Sequence, residues 1–266
     1  MTRLRLVFDQ RDGQTVLREQ YASSPLKIVR PFALEHGRVL LQLVNVGPGV
    51  MANDAFDIHI TLCEGAKVVL LNQSATKLHS MPTEARATQH VQIHLAAEAE
   101  LEYYPGLSIP YRGTAFQQQI TVELAMDAKF AFFERWAMGR IAFGERFVFR
   151  HLASQIKVYR DNLLLYADAL ELSKDAPQIG LTDHFAYLGA GFWFWNVLPE
   201  PPLIVPISNM RLADPALVCD AFRMDAAYVR VLANDGLTLR QHIHTFINDW
   251  HERIGLERLD FGRFGS

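Results

Sequence analysis

The side chains best suited to metal chemistry are scattered along this chain. It contains ten histidines and two cysteines. Among them, His59 and Cys63 are four residues apart, as are His90 and His94. Four residues of extended strand span about 13 Å, whereas bonds to a transition metal are about 2 Å long. His244 lies in a predicted helix without a partner at ligand spacing. We therefore predict hydrogen-bonded or surface histidines and no tightly bound cofactor.

Catalytic and nucleotide-binding motifs are missing from the sequence. It has no Gly-x-x-x-x-Gly-Lys, no Gly-x-Gly-x-x-Gly after a strand and no Gly-x-Ser-x-Gly. Cys63 lies in a predicted turn beside Glu64, without the base and orienting group that a nucleophile needs. We predict that the protein is not an enzyme. A β-solenoid enzyme acting on carbohydrate, with acids along an open groove, is one alternative, and a metal-free structural assembly protein is another.

A repeated phrase indicates how the chain is built. The first copy reads Ile60-x-Leu62-x-x-x-Ala66-x-Val68, and the others begin at Ile93, Val122 and, more loosely, Ile156. The interval of about 30 residues is typical of stacked supersecondary units. Within each copy apolar residues alternate, which is the period of a half-buried strand. The pattern predicts an all-β dominated fold, a layered, β-helix-like (helicoidal) stack of strands.

The C-terminal part has a different pattern. Leu239, Ile243, Phe246, Trp250 and Ile254 recur at helical spacing, and a second, shorter helix is possible within 203–222. We thus expect one or two C-terminal α-helices. No linker is evident, so the prediction is one domain over 1–266, with repeated β-units in 1–175 and a mixed β/α part in 176–266.

Composition excludes several classes of partner. The net charge is −3 and no basic block stands out, so nucleic acid is not an expected partner. The most apolar stretch, 185–205, is interrupted by Pro199, Pro201 and Pro202, so we predict that it does not span a membrane. The start Met-Thr-Arg-Leu-Arg lacks an apolar signal segment. We expect a cytoplasmic protein.

Four further phrases are too specific to be explained by core packing alone. They are Gly47-Pro-Gly49-Val-Met-Ala-Asn-Asp54, Gln73-Ser-Ala-Thr-Lys77-Leu, Leu107-Ser-Ile-Pro110-Tyr, and Gly139-Arg140 followed by Gly144-Glu145-x-Phe147. In this order they resemble the urease accessory protein UreD family, called UreH in some bacteria. The chain departs from the family pattern at Ala52-Asn53, which replaces paired glycines, and in its ending Gly262-Arg-Phe-Gly-Ser266.

The resemblance implies a β-rich helicoidal fold and a non-enzymatic role. Members of the family bind apo-urease and the partner UreF, which recruits the GTPase UreG, and the assembly delivers nickel to urease. The resemblance therefore implies apo-urease, UreF and UreG as partners, with Ni²⁺ bound at most transiently.

Several residues are candidates for partner binding. Lys77, Arg140 and Glu145 belong to the family-like phrases, and we expect them to fix loops or contact a partner through charge-assisted bonds. Trp193 and Trp195 lie in a run of four aromatic residues, where core packing is one interpretation and partner docking the other.

Three acids are candidates for a transient nickel path. Glu134 and Asp168 each lie 12 residues after the start of a repeat copy, so stacking in register would place them about 4.8 Å apart on paired strands. By resemblance, Asp54 corresponds to the aspartate of the family's glycine-rich run. Carboxylate oxygens are acceptable but weak ligands for Ni²⁺, which suits a route from which the ion must leave.

Overall fold

Two face-to-face β-sheets and one long helix make up the computed structural model, which describes residues 1–173, 185–198 and 216–263. The helix, α1, spans Gly236–Arg253. The strands are β1 (Thr2–Arg11), β2 (Gln14–Ala22), β3 (Leu26–Ile28), β4 (Phe32–Ala33), β5 (Val39–Asn45), β6 (Ala55–Leu62), β7 (Lys67–Asn72), β8 (Thr76–Leu78), β9 (Ala87–Leu95), β10 (Glu100–Pro110), β11 (Ala115–Leu124), β12 (Lys129–Ala137), β13 (His151–Arg160), β14 (Leu163–Ser173), β15 (Tyr187–Phe194), β16 (Ala216–Arg223) and β17 (Ala226–Ala233). Short 3-10 turns cover Glu35–Gly37 and Ile141–Phe143. The predicted all-β dominated, layered stack is confirmed.

The two sheets have parallel centres and antiparallel margins. Sheet A has the strand order β14-β13-β11-β9-β6-β1-β2, and sheet B has the order β16-β17-β15-β12-β10-β7-β5-β3. The neighbours from β1 through β13 in sheet A and from β5 through β12 in sheet B pair in parallel. From β5 to β13 the chain alternates between the sheets, as a solenoid requires, with the short β8 following β7 in sheet B.

The first three repeat copies are the crossings between the sheets. Each copy ends a sheet A strand, turns within four residues and begins a sheet B strand. The alanine of each copy, Ala66, Ala99 or Ala128, is at most 4% exposed and packs inside the core between the sheets. A small residue is required there because both sheets converge on the turn.

Backbone hydrogen bonds stack one crossing on the next. The N–H of Glu100 donates to the carbonyl of Ala66 at 2.9 Å, and the N–H of Lys129 donates to that of Ala99 at 2.8 Å. The same ladder joins the N–H of Gly65 to the carbonyl of Ala97 at 2.9 Å. Each crossing therefore sets the position of its neighbour.

The fourth copy does not cross between the sheets, contrary to the repeat interpretation. β13 and β14 form an antiparallel hairpin within sheet A, and its turn residues Asp161 and Asn162 have φ of 50° and 62°. Two adjacent positive φ values are typical of a tight hairpin turn. Val122 pairs with Val158 rather than with Ile156. The fourth copy was thus aligned two residues too early.

Helix α1 covers the outer face of sheet B. It begins at the N-cap Asp235, whose carboxylate accepts from the N–H of Thr238 at 2.7 Å, and it ends before Gly255, where φ is +74°. This confirms the predicted helix. Of the segment proposed for a second helix, 216–222 lies in strand β16, and the remainder lies outside the described residues. No helix among the described residues is long and apolar enough to span a bilayer.

Glycines in β15 allow the helix to approach the sheet. A Cβ on Gly191 would lie 2.4 Å from the ring of Phe133, and one on Gly189 would lie 2.9 Å from the same ring and 3.2 Å from Ile243 of α1. These glycines therefore have a packing role.

A buried charge cluster fastens α1 to sheet B. Glu102 of β10 is 2% exposed; it forms an ion pair with Arg38 and accepts hydrogen bonds at 2.7 Å from the hydroxyl of Tyr104 and from Nε2 of His251. Nδ1 of His251 faces the carbonyl of Glu257 at 2.8 Å. Only a doubly protonated imidazole can donate to both oxygens.

We expect Glu102→Gln to destabilise the protein strongly. The amide would leave the buried cations of Arg38 and His251 without a counter-charge, and breaking such a buried pair costs about 3–5 kcal/mol. Urea unfolding followed by circular dichroism would measure the loss. Glu123→Gln is the matched control, because Glu123 pairs with His94 on the surface; a similar loss in both variants would contradict the clamp.

We also expect an acid-sensitive component of stability at Glu102. Burial alone would raise the pKa of Glu102, but the charges of His251 and Arg38 outweigh burial and lower this pKa to about 2. An acid with a lowered pKa contributes stability above its unfolded pKa of about 4.3, and this stability is lost as the pH falls towards 2. Melting temperatures measured from pH 6 to pH 3 should fall for the native protein and change less for Glu102→Gln.

Candidate functional site

A polar cleft opens between the two sheets at one end of the stack. It encloses about 1000 Å³ of space, including its open mouth, and polar side chains line it where apolar core would otherwise continue. They include Lys77, Gln89, Gln118 and Glu134. The mouth is shaped by Gly49, whose φ is +138° and where a Cβ would lie 2.3 Å from the carbonyl of Lys77.

The carboxylate of Glu134 forms the inner end of the cleft. Glu134 is 9% exposed. Its Oε2 accepts a hydrogen bond from Nε2 of Gln118 at 2.8 Å, and its Oε1 accepts one from the hydroxyl of Ser154 at 3.2 Å. Burial raises the pKa of Glu134, and the neighbouring carboxylate of Asp168 adds to the rise, although the hydrogen bonds oppose it. Glu134 therefore holds its proton more readily than a surface glutamate.

A polar row across sheet A supports Glu134 from the opposite side. Gln89, Gln118 and Ser154 are paired in register on β9, β11 and β13. Nε2 of Gln89 donates to Oε1 of Gln118 at 2.9 Å, and Nε2 of Gln118 lies 2.9 Å from the hydroxyl of Ser154. Sequence reasoning missed this row. The signal in the sequence was a polar residue four positions before each of three apolar residues that pair across neighbouring strands, Ile93, Val122 and Val158.

Asp168 reaches the space between the sheets from a different strand than predicted. It lies on β14 of sheet A, whereas Glu134 lies on β12 of sheet B, so the expectation of paired strands is wrong. Its carboxylate forms an ion pair with Arg230 of β17. The two acids face each other across the sheets, and Arg230 balances the charge of Asp168.

Asp54 closes a turn and does not line the cleft. Its Oδ2 accepts from the N–H of Met51 at 2.7 Å, and the preceding Asn53 has φ of 64°. Asparagine tolerates positive φ better than most residues, so Asn53 accepts this turn conformation where the family pattern has glycine. The three predicted acids do not converge. Nor do the described residues contain a group of three or more histidine, cysteine, aspartate or glutamate side chains able to hold a metal.

The loop after β12 is fixed by Arg140 and Glu145. Nε and Nη2 of Arg140 donate to the two oxygens of Glu145 at 2.8 and 2.6 Å, and the N–H of Arg112 donates to the same carboxylate at 3.3 Å. Gly139 has φ of +129°, and a Cβ there would lie 2.3 Å from the carbonyl of Glu145. These bonds fix the loop, as expected for Arg140, while contact of Arg140 or Glu145 with a partner stays a prediction.

The same loop presents an aromatic patch, which we call the Phe143 patch and define as Tyr111, Arg140 and Phe143. The guanidinium carbon of Arg140 lies 4.5 Å from the ring centre of Tyr111 and 5.1 Å from that of Phe143. Phe143 is 76% exposed. Sequence reasoning missed Phe143, although an aromatic residue between two turn glycines was a visible signal.

Lys77 lies on the edge of the cleft rather than in a turn. It belongs to β8, its side chain is exposed, and its carbonyl accepts from the N–H of Val50 at 2.8 Å. Its ammonium group makes no ion pair with any residue that the structure describes, so it remains a candidate contact at the mouth.

Trp193 and Trp195 are not surface residues. They are 0% and 5% exposed, and their rings lie 5.9 and 5.0 Å from that of Trp250 on α1. Phe192 and Phe194 are buried on the other face of β15, between the sheets. The prediction that the two tryptophans dock a partner is therefore corrected: they anchor the helix.

Comparison with known proteins identifies the family. The model of the UreD urease accessory protein family matches residues 1–260. The chain is 37% identical over 202 residues to urease accessory protein UreD 1 of Synechococcus sp., covering 75% of each chain. It is 35% identical to the UreD protein of Deinococcus radiodurans over 196 residues, covering 72% of this chain and 69% of the other. The chain belongs to the UreD family of urease accessory proteins.

Proposed function

We propose that this protein is a cytoplasmic chaperone of urease maturation that binds apo-urease and UreF, through which UreG joins, and guides Ni²⁺ towards the urease active site. Membership of the accessory-protein family supports the role in maturation. The observation that carries the transfer step is Glu134, a buried carboxylate at the inner end of an open polar cleft.

The ligands around Glu134 suit passage better than storage. The carboxylate oxygens of Glu134 are accompanied by the hydroxyl oxygen of Ser154, whereas Gln118 presents its amide nitrogen to Glu134 and turns its oxygen to Gln89. Such oxygen donors hold Ni²⁺ less tightly than imidazole or thiolate does. Because a bound cation needs the ionised carboxylate, the raised pKa of Glu134 lets a proton compete with the metal. Both features favour release.

The other two acids have structural roles in this proposal. Asp168 holds Arg230, so replacing it would unbalance a half-buried cation rather than remove a ligand. Asp54 maintains the turn before β6. Of the three acids first considered, Glu134 is the one that we assign to the nickel path.

The Phe143 patch is the surface that we assign to a protein partner. Aromatic residues and arginine are the types most often found to dominate binding energy at interfaces. Arg140 is held by Glu145, so the patch is ordered before a partner arrives, and ordering costs are reduced.

Glu134→Gln tests the path. Glutamine keeps the size and the hydrogen-bonding oxygen but removes the charge that attracts the cation. We expect the urease–accessory complex to assemble as before, while urease matured at limiting nickel contains severalfold less metal. Nickel per urease would be measured by mass spectrometry, and complex formation by pull-down.

Glu123→Gln is the control for this experiment, because Glu123 is an exposed acid of sheet A outside the cleft. Normal nickel loading by Glu134→Gln would show that the cleft is not the route. Loss of the complex itself would assign Glu134 to assembly instead.

Phe143→Ala tests the partner surface. Because the ring is mostly exposed, the substitution should change the free energy of unfolding by no more than about 0.5 kcal/mol. If the ring is a central contact, removing it should weaken binding of UreF or apo-urease by more than about tenfold. Biolayer interferometry with each partner measures this, and unaltered binding to both would remove the patch from the interface. Met126→Ala, at another exposed apolar residue, is the control.

A further inference from the structure

A second cavity lies on the opposite face of sheet B, beneath the start of α1. Its walls include Gly106 and Leu107 of β10, Arg135 of β12, and Leu237 and Arg240 of α1, and it holds about 680 Å³ of space, including its mouth. β12 alternates its side chains between the faces, so Glu134 lines the cleft and Arg135, the next residue, lines this cavity.

Arg135 enters the cavity without a partner. The residue is 8% exposed, and its Nη2 lies 3.9 Å from where a Cβ of Gly106 would be. Within the described part of the chain its guanidinium makes no hydrogen bond or ion pair, and neither does the exposed side chain of Arg240. A buried cation without a counter-charge is costly, so such a group calls for an anion.

The surrounding groups are basic or neutral. Burial, and then the charge of Arg240, lowers the pKa of Arg135 to about 10, which leaves it protonated at neutral pH. Burial, and then Arg135 and Arg240, lowers the pKa of His244 to about 3, and its imidazole stacks on Phe261 at 4.1 Å. Asp235, the nearest acid along the helix, is outside the cavity wall and is engaged by the N–H of Thr238.

We propose that this cavity binds a small free oxyanion of the phosphate or sulfate class between the guanidinium groups of Arg135 and Arg240. Guanidinium groups present parallel N–H donors that match such oxygens in pairs. A free ion can diffuse into the cavity as far as the buried guanidinium of Arg135. An acidic side chain of a partner could reach the same point only if the partner's backbone lay against the mouth of the cavity.

The site is independent of the proposed passage of nickel. The anion would join β12 to α1, two elements whose side chains, such as Phe133 and Ile243, also share an apolar cluster. Its binding should therefore stabilise the folded chain in proportion to the anion concentration, since the unfolded chain lacks the site.

The test is titration of the full chain with inorganic phosphate by isothermal calorimetry, without nickel and at constant ionic strength. We expect saturable binding of one phosphate per chain, accompanied by a rise in melting temperature. Arg240→Gln should weaken the binding about tenfold, in line with loss of a charge-assisted pair. Arg135→Gln should abolish it. Arg5→Gln, at an exposed arginine of sheet A, should bind phosphate normally.

Three results would overturn the proposal. The first is no saturable binding of phosphate or sulfate by the native chain. The second is equal weakening by Arg5→Gln, which would indicate general attraction to positive charge. The third is that the native chain binds no phosphate and that Arg240→Gln pulls down less partner than the native chain does. This result would assign the cavity to a carboxylate of a partner. Because Arg240 is exposed, its variant keeps the test valid even if Arg135→Gln fails to fold.

Discussion

The rest of the structure depends on the tight crossing between the two sheets. Each crossing turns within four residues and must bury a side chain no larger than alanine, as at Ala66, Ala99 and Ala128. Because backbone bonds link successive turns, the crossings keep the parallel strands in register. Register in turn decides which face each side chain occupies, since a slip by one residue would exchange the two faces. The opposite placement of Glu134 and Arg135 follows from this constraint.

The sequence was sufficient to predict the repeated part of the fold. Three copies share an apolar alternation and a small turn residue, and both requirements are local, so a single chain displays them. The fourth copy was misaligned because Asn162 was taken as equivalent to the buried alanine. Its Asp161-Asn162 pair has the residue types that accept positive φ and form a hairpin. Turn chemistry, rather than apolar periodicity, separates a hairpin from a crossing here.

The site was less predictable because it depends on contacts between distant segments. Nothing near Trp193 or Trp195 indicates that α1, about fifty residues later, covers both rings. Likewise, the pairing of Asp168 with Arg230 depends on how the antiparallel margins of both sheets meet. Glu134 was found from its phase within a repeat, but the Gln118 and Ser154 side chains that hold it come from the opposite sheet.

Buried charge is costly, and the way each charge is satisfied distinguishes structural from functional residues in this fold. Glu102 is held by Arg38, Tyr104 and His251, so its charge is balanced within the chain and its effect is to fasten α1. Glu134 has only neutral donors, and Arg135 has no donor–acceptor partner among the described residues. These two charges are incompletely balanced in the protein alone, one facing a cleft and one a cavity. A cation at the first and an anion at the second would each supply the missing charge, so we assign ligands to these two positions and not to the larger cluster at Glu102.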